Sequence, residues 1–232
     1  VEWSEGVPIS GTIKAYDRAT NVTSGTVQVA VNGVPGSTGA IAGDGTWTIN
    51  NVTAFDGDTV TVWVDGAAEA NEAANVFVYD GVGDMEDIVL YEQHLTMSSN
   101  EKATTTNALL AAYDFSVSGN EDIFFDVDAN NDLIVCAQGT CADANLFVGT
   151  GHVYVPDTTG SGNVTAHDLI NNGRIELDAN TARFSGSWDD NSCQYRCCFK
   201  VFDGQFCRNP NFVDTLYYFC WCGYLYSVQK TW

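Results

Sequence analysis

GTVQVAVNGVPGSTGAIAGDGTWTINNVTAFDGDTVTVWVDG, residues 25–66, alternates apolar and polar residues in short runs and closes the runs with turn dipeptides. Val27, Val29 and Val31 fall on one face of a strand, as do Trp47 with Ile49, and Val60 with Val62 and Val64. Side chains of a β-strand point alternately to its two faces, so a period of two marks half-buried antiparallel strands. Asn32-Gly33, Asp44-Gly45, Asp56-Gly57 and Asp65-Gly66 stand between the runs, and Asp80-Gly81 follows the next strand, NVFVY. Asn or Asp before Gly tolerates the positive φ angles that tight hairpins demand. The pattern predicts an all-β chain that opens with a β-sandwich over residues 1–83. Two stretches interrupt it: AAEANEAA (67–74) and TNALLAAYDF (106–115) have the composition of a helical turn but not the length of a self-supporting helix.

Working outward, residues 84–192 stay β-like in DIVLYEQHLTM, EDIFFDVDANNDLIV, NLFVGTGHVYV, NVTAHDLI, GRIELD and ARFSGSW. Asn130-Asn131-Asp132, Asn171-Asn172-Gly173 and Asp178-Ala179-Asn180 supply the turns. Ile175 and Phe184 are nine residues apart, as are Leu177 and Gly186. That spacing suggests short stacked strands, a β-solenoid or β-roll whose rungs bury their faces on neighbours. A second sandwich fits nearly as well. Residues 193–232 form a third segment, a Cys/aromatic-rich extension holding 6 of the 8 cysteines and 12 of the 28 aromatic residues.

SGTIKAYD, GTVQVAVNG and GDGTWTINNVTAFDGDTVTVWVDG together resemble the Ig-like, carboxypeptidase-regulatory-type modules of large bacterial cell-surface proteins. NVTAHDLINNGRIELDANTARFSGSW is similar to the Asn/Gly/Thr-rich β-solenoid repeats that often follow such modules. The resemblance covers about residues 8–190. It implies a stalk, adhesin or fibre subunit without a catalytic set, and it is silent about the segment after Ser192.

The formal charge of −21, from 30 acids against 9 Lys and Arg, repels phosphate backbones and anionic headgroups. No role with nucleic acid is expected, and no membrane insertion, since Tyr217 to Tyr226 is too short to span a bilayer. The charge is uneven: residues 1–192 carry 28 acids and 5 bases, residues 193–232 carry 2 acids and 4 bases. The start at Val1, without a basic and apolar leader, is expected of a processed product or an excised fragment.

Eight cysteines in such a chain point to an oxidising, extracellular setting and to disulfides. Cys136 and Cys141 are placed to staple a local loop, while Cys193, Cys197, Cys198, Cys207, Cys220 and Cys222 leave 15 pairings open. Their CxxxCC and CxC spacings depart from the paired knuckles of structural zinc. Asn21, Asn51 and Asn163 each begin an Asn-Val-Thr acceptor for N-glycosylation, a tripeptide that serves equally as turn-plus-strand chemistry.

No Gly-Lys dipeptide, HExxH, GxSxG, GxGxxG or CxxCH occurs. His167 and Asp168 are adjacent, but neighbours on a strand diverge, so the pair reads as a solvated rung edge. Asp126, Asp128, Asn130 and Asp132 place oxygens at alternate positions, as a calcium loop does, with Asn131 and Ala137 where an EF-hand needs Gly and Glu. The competing reading is an acidic β-turn, and no cofactor beyond that candidate structural Ca²⁺ is expected. Glu86-Asp87, Glu121-Asp122 and Asp189-Asp190 mimic glycosidase acid pairs, which need a cleft to act.

Together these features predict a non-enzymatic, extracellular, cell-surface subunit that assembles with copies of itself into a fibre or pilus-like filament. Val7, Ile9 and Ile13 of a terminal strand, with Tyr217, Tyr218, Phe219 and Trp221, are the expected assembly contacts. The alternatives are an adhesin or carbohydrate-binding module using aromatics such as Trp63 or Trp188 on surface glycans, and a β-helical polysaccharide-processing enzyme.

Overall fold

The computed structural model describes residues 6–136, 144–156 and 162–176, with the backbone of the strands Ala182–Phe184 and Trp188–Asp190. The chain is all-β. Its first half comprises β1 (Val7–Lys14), β2 (Thr26–Val31), β3 (Val34–Ala40), β4 (Thr46–Val52), β5 (Thr59–Asp65), β6 (Ala74–Val78) and β7 (Met85–Tyr91). One sheet has the order β4-β1-β7, and it faces a second in which β6, β5, β2 and β3 are neighbours. Between them lie Ile9, Ile13, Val27, Val29, Trp47, Ile49, Val60, Val62 and Phe77, with Ile9, Ile13, Val27, Val60, Val62 and Phe77 fully buried. The valines read from the alternation as one face are therefore the sandwich face. All five predicted turn glycines have positive φ, and Asn32 adopts φ 47° ahead of Gly33 at 78°.

β7 lies beyond residue 83 yet completes the sandwich, pairing in parallel with β1 and placing Met85, Ile88 and Leu90 in the same core. Gly11 makes that pairing close: a Cβ there would stand 1.8 Å from the Ile88 carbonyl oxygen. Of the two helix-like stretches, the first forms a 3-10 turn over Glu69–Asn71. The second supplies α1 (Asn107–Leu110), whose N-cap Thr106 accepts from the Leu109 amide at 3.4 Å.

After β7 most pairs are parallel, the hairpin of Phe125–Val127 with Leu133–Val135 being antiparallel. β8 (His94–Met97), β9 (Thr104–Thr106), α1, α2 (Phe115–Ser118), β10 (Phe125–Val127) and β11 (Leu133–Val135) lead into a regular succession. It runs β12 (Asn145–Val148), β13 (Val153–Val155), β14 (Val164–Ala166), β15 (Leu169–Asn171), β16 (Arg174–Ile175), β17 (Ala182–Phe184) and β18 (Trp188–Asp190). β8, β12, β15 and β18 pair in parallel as one ladder, β9, β13 and β16 as a second, and β11, β14 and β17 as a third. The chain visits the three ladders in turn, three strands to a coil. Leu95 aligns with Leu146 and Leu146 with Leu169, a buried column one residue wide. The nine-residue spacing seen between Ile175 and Phe184 links two different ladders, β16 and β17. The stacking repeat is about twice as long, as Leu169 over Trp188 shows.

The two halves share a sheet. β6 pairs in parallel with β8, with Ala74 opposite Leu95 and Asn75 opposite Thr96. Among the described residues an eight-stranded sheet, β18-β15-β12-β8-β6-β5-β2-β3, thus runs from the coil of β18 to the far edge of the sandwich. Asn75, fully buried, fastens the junction by donating to the carbonyls of Val89 (2.9 Å) and Ser98 (2.8 Å). β5 is consequently covered on both faces. Val60 and Val62 enter the sandwich core, whereas Trp63 enters the core of the coils, fully buried with its ring 5.1 Å from Tyr113. Trp63 is not the exposed sugar-stacking aromatic that alternation suggested, because the sandwich's outer face is the floor of the second core.

Candidate functional site

Three loops at one end of the sandwich are joined into one platform. Asp58 holds two of them: its Oδ1 accepts from Asn32 Nδ2 at 2.7 Å and its Oδ2 from the Phe55 amide at 2.8 Å. The Asn32 side chain returns a bond, its Oδ1 accepting from the Thr59 amide at 2.9 Å. The third loop joins through backbone: Gly57 donates to the Tyr79 carbonyl and Tyr79 to the Asp58 carbonyl, both at 2.9 Å. Gly81 lets the loops touch, since a Cβ there would fall 2.7 Å from the Asp56 Cβ. Tyr79 donates its hydroxyl to the Gly83 carbonyl at 2.7 Å, and Asp80 Oδ1 accepts from the Val82 amide at 2.8 Å, fixing the loop beyond.

On this platform Val34, Phe55 and Val82 stand 67%, 58% and 74% exposed. Large apolar side chains held outward by rigid loops are a mark of interaction surfaces. The same loops carry Asp56, Asp80 and Asp84, and Glu101 accepts from the Asp80 amide at 3.1 Å. Burial raises the Glu101 carboxyl above its ordinary range, and the neighbouring Asp80 charge adds to this. Lys102 answers with one ion pair to Asp56 at 2.6 Å. Val34 opens β3, whereas Phe55 and Val82 lie in loops, so no run of alternation links the three. The five turn dipeptides were a usable signal that the loops exist, though none that they converge.

The residues singled out in the sequence go to different places. Val7, Ile9 and Ile13 are spent inside the molecule, as β1 is the middle strand of its sheet and Ile9 and Ile13 are fully buried. To serve as a donated strand, β1 would have to leave its own core. Asp126, Asp128 and Asp132 do not converge. Asp126 accepts from the Ser116 amide (3.1 Å), Asp128 from the amides of Asn130 (2.8 Å) and Asp132 (3.0 Å). Asp132 reaches the next coil, accepting from the Asn163 amide at 2.7 Å and Nδ2 at 3.1 Å. The stretch forms an acidic turn and a clamp between coils. Among the described residues no group of three or more His, Cys, Asp or Glu is placed to hold a metal.

Of the three glycosylation tripeptides, Asn21 donates its side-chain amide to the Asp44 carbonyl (2.6 Å) and Asn163 to Asp132. Asn51 is exposed at φ 59°, and no hydrogen bond from its side chain is formed among the described residues. Cys136 follows β11, half-buried against the coil core at φ 88°. Cys141, Cys193, Cys197, Cys198, Cys207, Cys220 and Cys222 lie outside the described residues, as do Tyr217, Tyr218, Phe219, Trp221 and the side chain of Trp188.

His167 and Asp168 require a correction. They occupy the corner between β14 and β15 rather than a strand, so their side chains meet instead of diverging, with Nδ1 3.4 Å from Oδ1. The corner repeats along the stack. His94, Asn145 and Asp168 form a chain in which Asn145 Nδ2 lies 3.3 Å from His94 Nε2 and Asn145 Oδ1 accepts from the Asp168 amide at 3.0 Å. Burial pushes the His94 imidazole down to about 4, and Arg18 acts in the same direction. Tyr16 and Tyr91 pack on His94 at 5.5 Å and 5.9 Å, closing the seam between the two halves.

Among the described residues, the nearest approach to a nucleophile and base is Ser99 Oγ at 3.4 Å from His152 Nε2. His152 is 3% exposed, and Ser99 Oγ already accepts from the Glu101 amide at 3.2 Å. Two shallow grooves lie elsewhere. One of about 560 Å³ is bordered by Glu72, Glu121 and Asp122, and one of about 410 Å³ by Ser10, Thr12, Thr46, Thr48 and Glu86-Asp87. Asp122 is occupied in the first, accepting from the amides of Gly66 (3.0 Å) and Ala67 (3.1 Å). No helix among the described residues is long and apolar enough to cross a membrane. No family model, curated protein or solved structure matches the chain.

Proposed function

We propose that the chain is a non-enzymatic, extracellular structural subunit that assembles with copies of itself into a cell-surface fibre. The observation that carries this reading is the continuous eight-stranded sheet from β3 to β18. Two β units joined by a flexible linker would swivel, whereas units sharing a hydrogen-bonded sheet transmit tension through backbone bonds along its width. An Ig-like module fused to a β-solenoid in this way is a rigid rod segment. Regular coils bury their faces only on neighbours, so such a stack is suited to extension at its ends. In this reading Cys136 is held in a disulfide, with Cys141 as the proposed partner, as an oxidising compartment allows. Asn51 is the glycan acceptor whose amide is best placed for modification.

The carbohydrate-binding alternative loses Trp63, which lies in a core. Negative-stain microscopy of purified full-length chain over a concentration series tests the proposal. Filaments of constant width that lengthen with concentration are expected. Monomers persisting throughout the series would overturn it.

A further inference from the structure

We infer that the loop platform carrying Val34, Phe55 and Val82 is the docking site for the segment 193–232 of a second copy. The inference rests on the self-assembly reading above and names its contact. Both sides have matching chemistry. The platform offers three exposed apolar side chains on loops that also carry Asp56, Asp80 and Asp84, with Lys102 ion-paired to Asp56. The segment 193–232 is the one part of the chain with the opposite balance, 4 bases against 2 acids, while residues 1–192 carry 28 acids and 5 bases. It also holds 12 aromatic residues, the type that anchors in apolar clusters at interfaces. Two copies facing each other through any acidic surface would repel; the basic, aromatic segment removes that repulsion at one place.

The assignment to a second copy follows from the self-assembly reading. The segment begins just after β18, at one edge of the shared sheet as far as the described residues go, and Val34 opens β3 at the opposite edge. Seven strand spacings of about 4.8 Å separate those edges, roughly 34 Å. Forty residues could span that distance on their own molecule, so the contact between copies is the part of the inference that concentration dependence tests. Donor and acceptor surfaces differ, so the contact is heterologous, and its repetition gives an open chain of subunits where the rotation between copies does not close a ring.

Sedimentation velocity of the full-length chain across concentration, at low salt and in about 0.5 M NaCl, tests the inference. The wild-type chain should associate, less so at high salt because part of the attraction is between screened charges. The double variant Phe55→Ser with Val82→Ser should associate at least tenfold more weakly, with an unchanged far-ultraviolet spectrum, as both side chains are exposed. Lys200→Glu with Arg208→Glu should weaken association from the other side, and combining the two pairs should add little, since both act on one contact. If the wild type associates and both double variants associate equally well, the platform is not the contact, although self-assembly stands. If the wild-type chain stays monomeric at every concentration, self-assembly fails and this inference fails with it.

Discussion

The sandwich and the coil stack use the same strand chemistry and obtain order differently. In the sandwich, β2, β3, β5 and β6 are antiparallel neighbours joined by tight turns or short excursions, so local dipeptides set the register. In the coils every ladder pairs strands from successive turns of the chain, such as Asn145 on His94, and no local turn dictates that alignment. Buried columns do so instead. Leu95, Leu146 and Leu169 stack in one core, and the side-chain clamps of Asn75, Asn145 and Asp132 tie neighbouring layers together. Antiparallel order is written into turns, and parallel order into repeated interior positions.

The comparison breaks most sharply at Trp63, which belongs to a sandwich strand but fills the coil core. Trp63→Ala should cost about 3–5 kcal/mol, the usual penalty for emptying a large aromatic site. Because the sheet is shared, chemical denaturation followed by sandwich and coil probes should show one common loss of stability. Separate transitions with only the coils destabilised would mean that the halves are independent.

A smaller effect is expected at the seam. The folded-state pKa of His94 lies below its unfolded value of 6.5, at about 4, so the unfolded chain binds a proton first as pH falls. Stability is therefore fully present above 6.5 and is lost between there and about 4, by up to roughly 3 kcal/mol. Arg18, Asp168 and the Glu92 carbonyl face the ring and set this balance. His94→Gln, compared with wild type by thermal melting between pH 7 and 4, should flatten this part of the acid dependence. An unaltered slope would assign it to the carboxylates.

The smallest of the three concerns the clamp between coils. Asp132→Ala removes acceptors for the Asn163 amide and side chain and should cost about 1–3 kcal/mol. Chelation of calcium should leave the melting temperature of wild type and variant unchanged if the aspartate acts only as a clamp. A chelator-dependent fall in the wild type alone would restore the metal reading of Asp126, Asp128, Asn130 and Asp132.

Much of the sandwich was legible because strand alternation and Asn-Gly or Asp-Gly turns are local. Val27, Val29, Val60 and Val62 could be assigned to one buried face from spacing alone. The nine-residue spacing in the coils signalled short strands but misjudged the stacking repeat, since each turn of the chain uses three sides. Trp63 was misplaced for a related reason: alternation says which side chains share a face, and cannot say what covers the other one. His167 and Asp168 were read as strand neighbours because the corner that brings them together is created by the ladders on both sides. The loop platform was hidden, as its members lie far apart in the chain and are joined by Asp58 and by the Gly57 and Tyr79 amides.

By itself the sequence determined the all-β class, the positions of the sandwich turns and the strong acidity broken only by a basic, aromatic end. These follow from alternation, from the φ preferences of Gly and Asn, and from net charge, all properties of residues and their near neighbours. Only the tertiary structure decided that β7 completes the sandwich, that β6 and β8 join two cores across one sheet, and that Val34, Phe55 and Val82 stand on one platform. Those outcomes depend on pairing between strands distant in sequence, where burial over the whole molecule selects among alignments that each strand alone would accept equally.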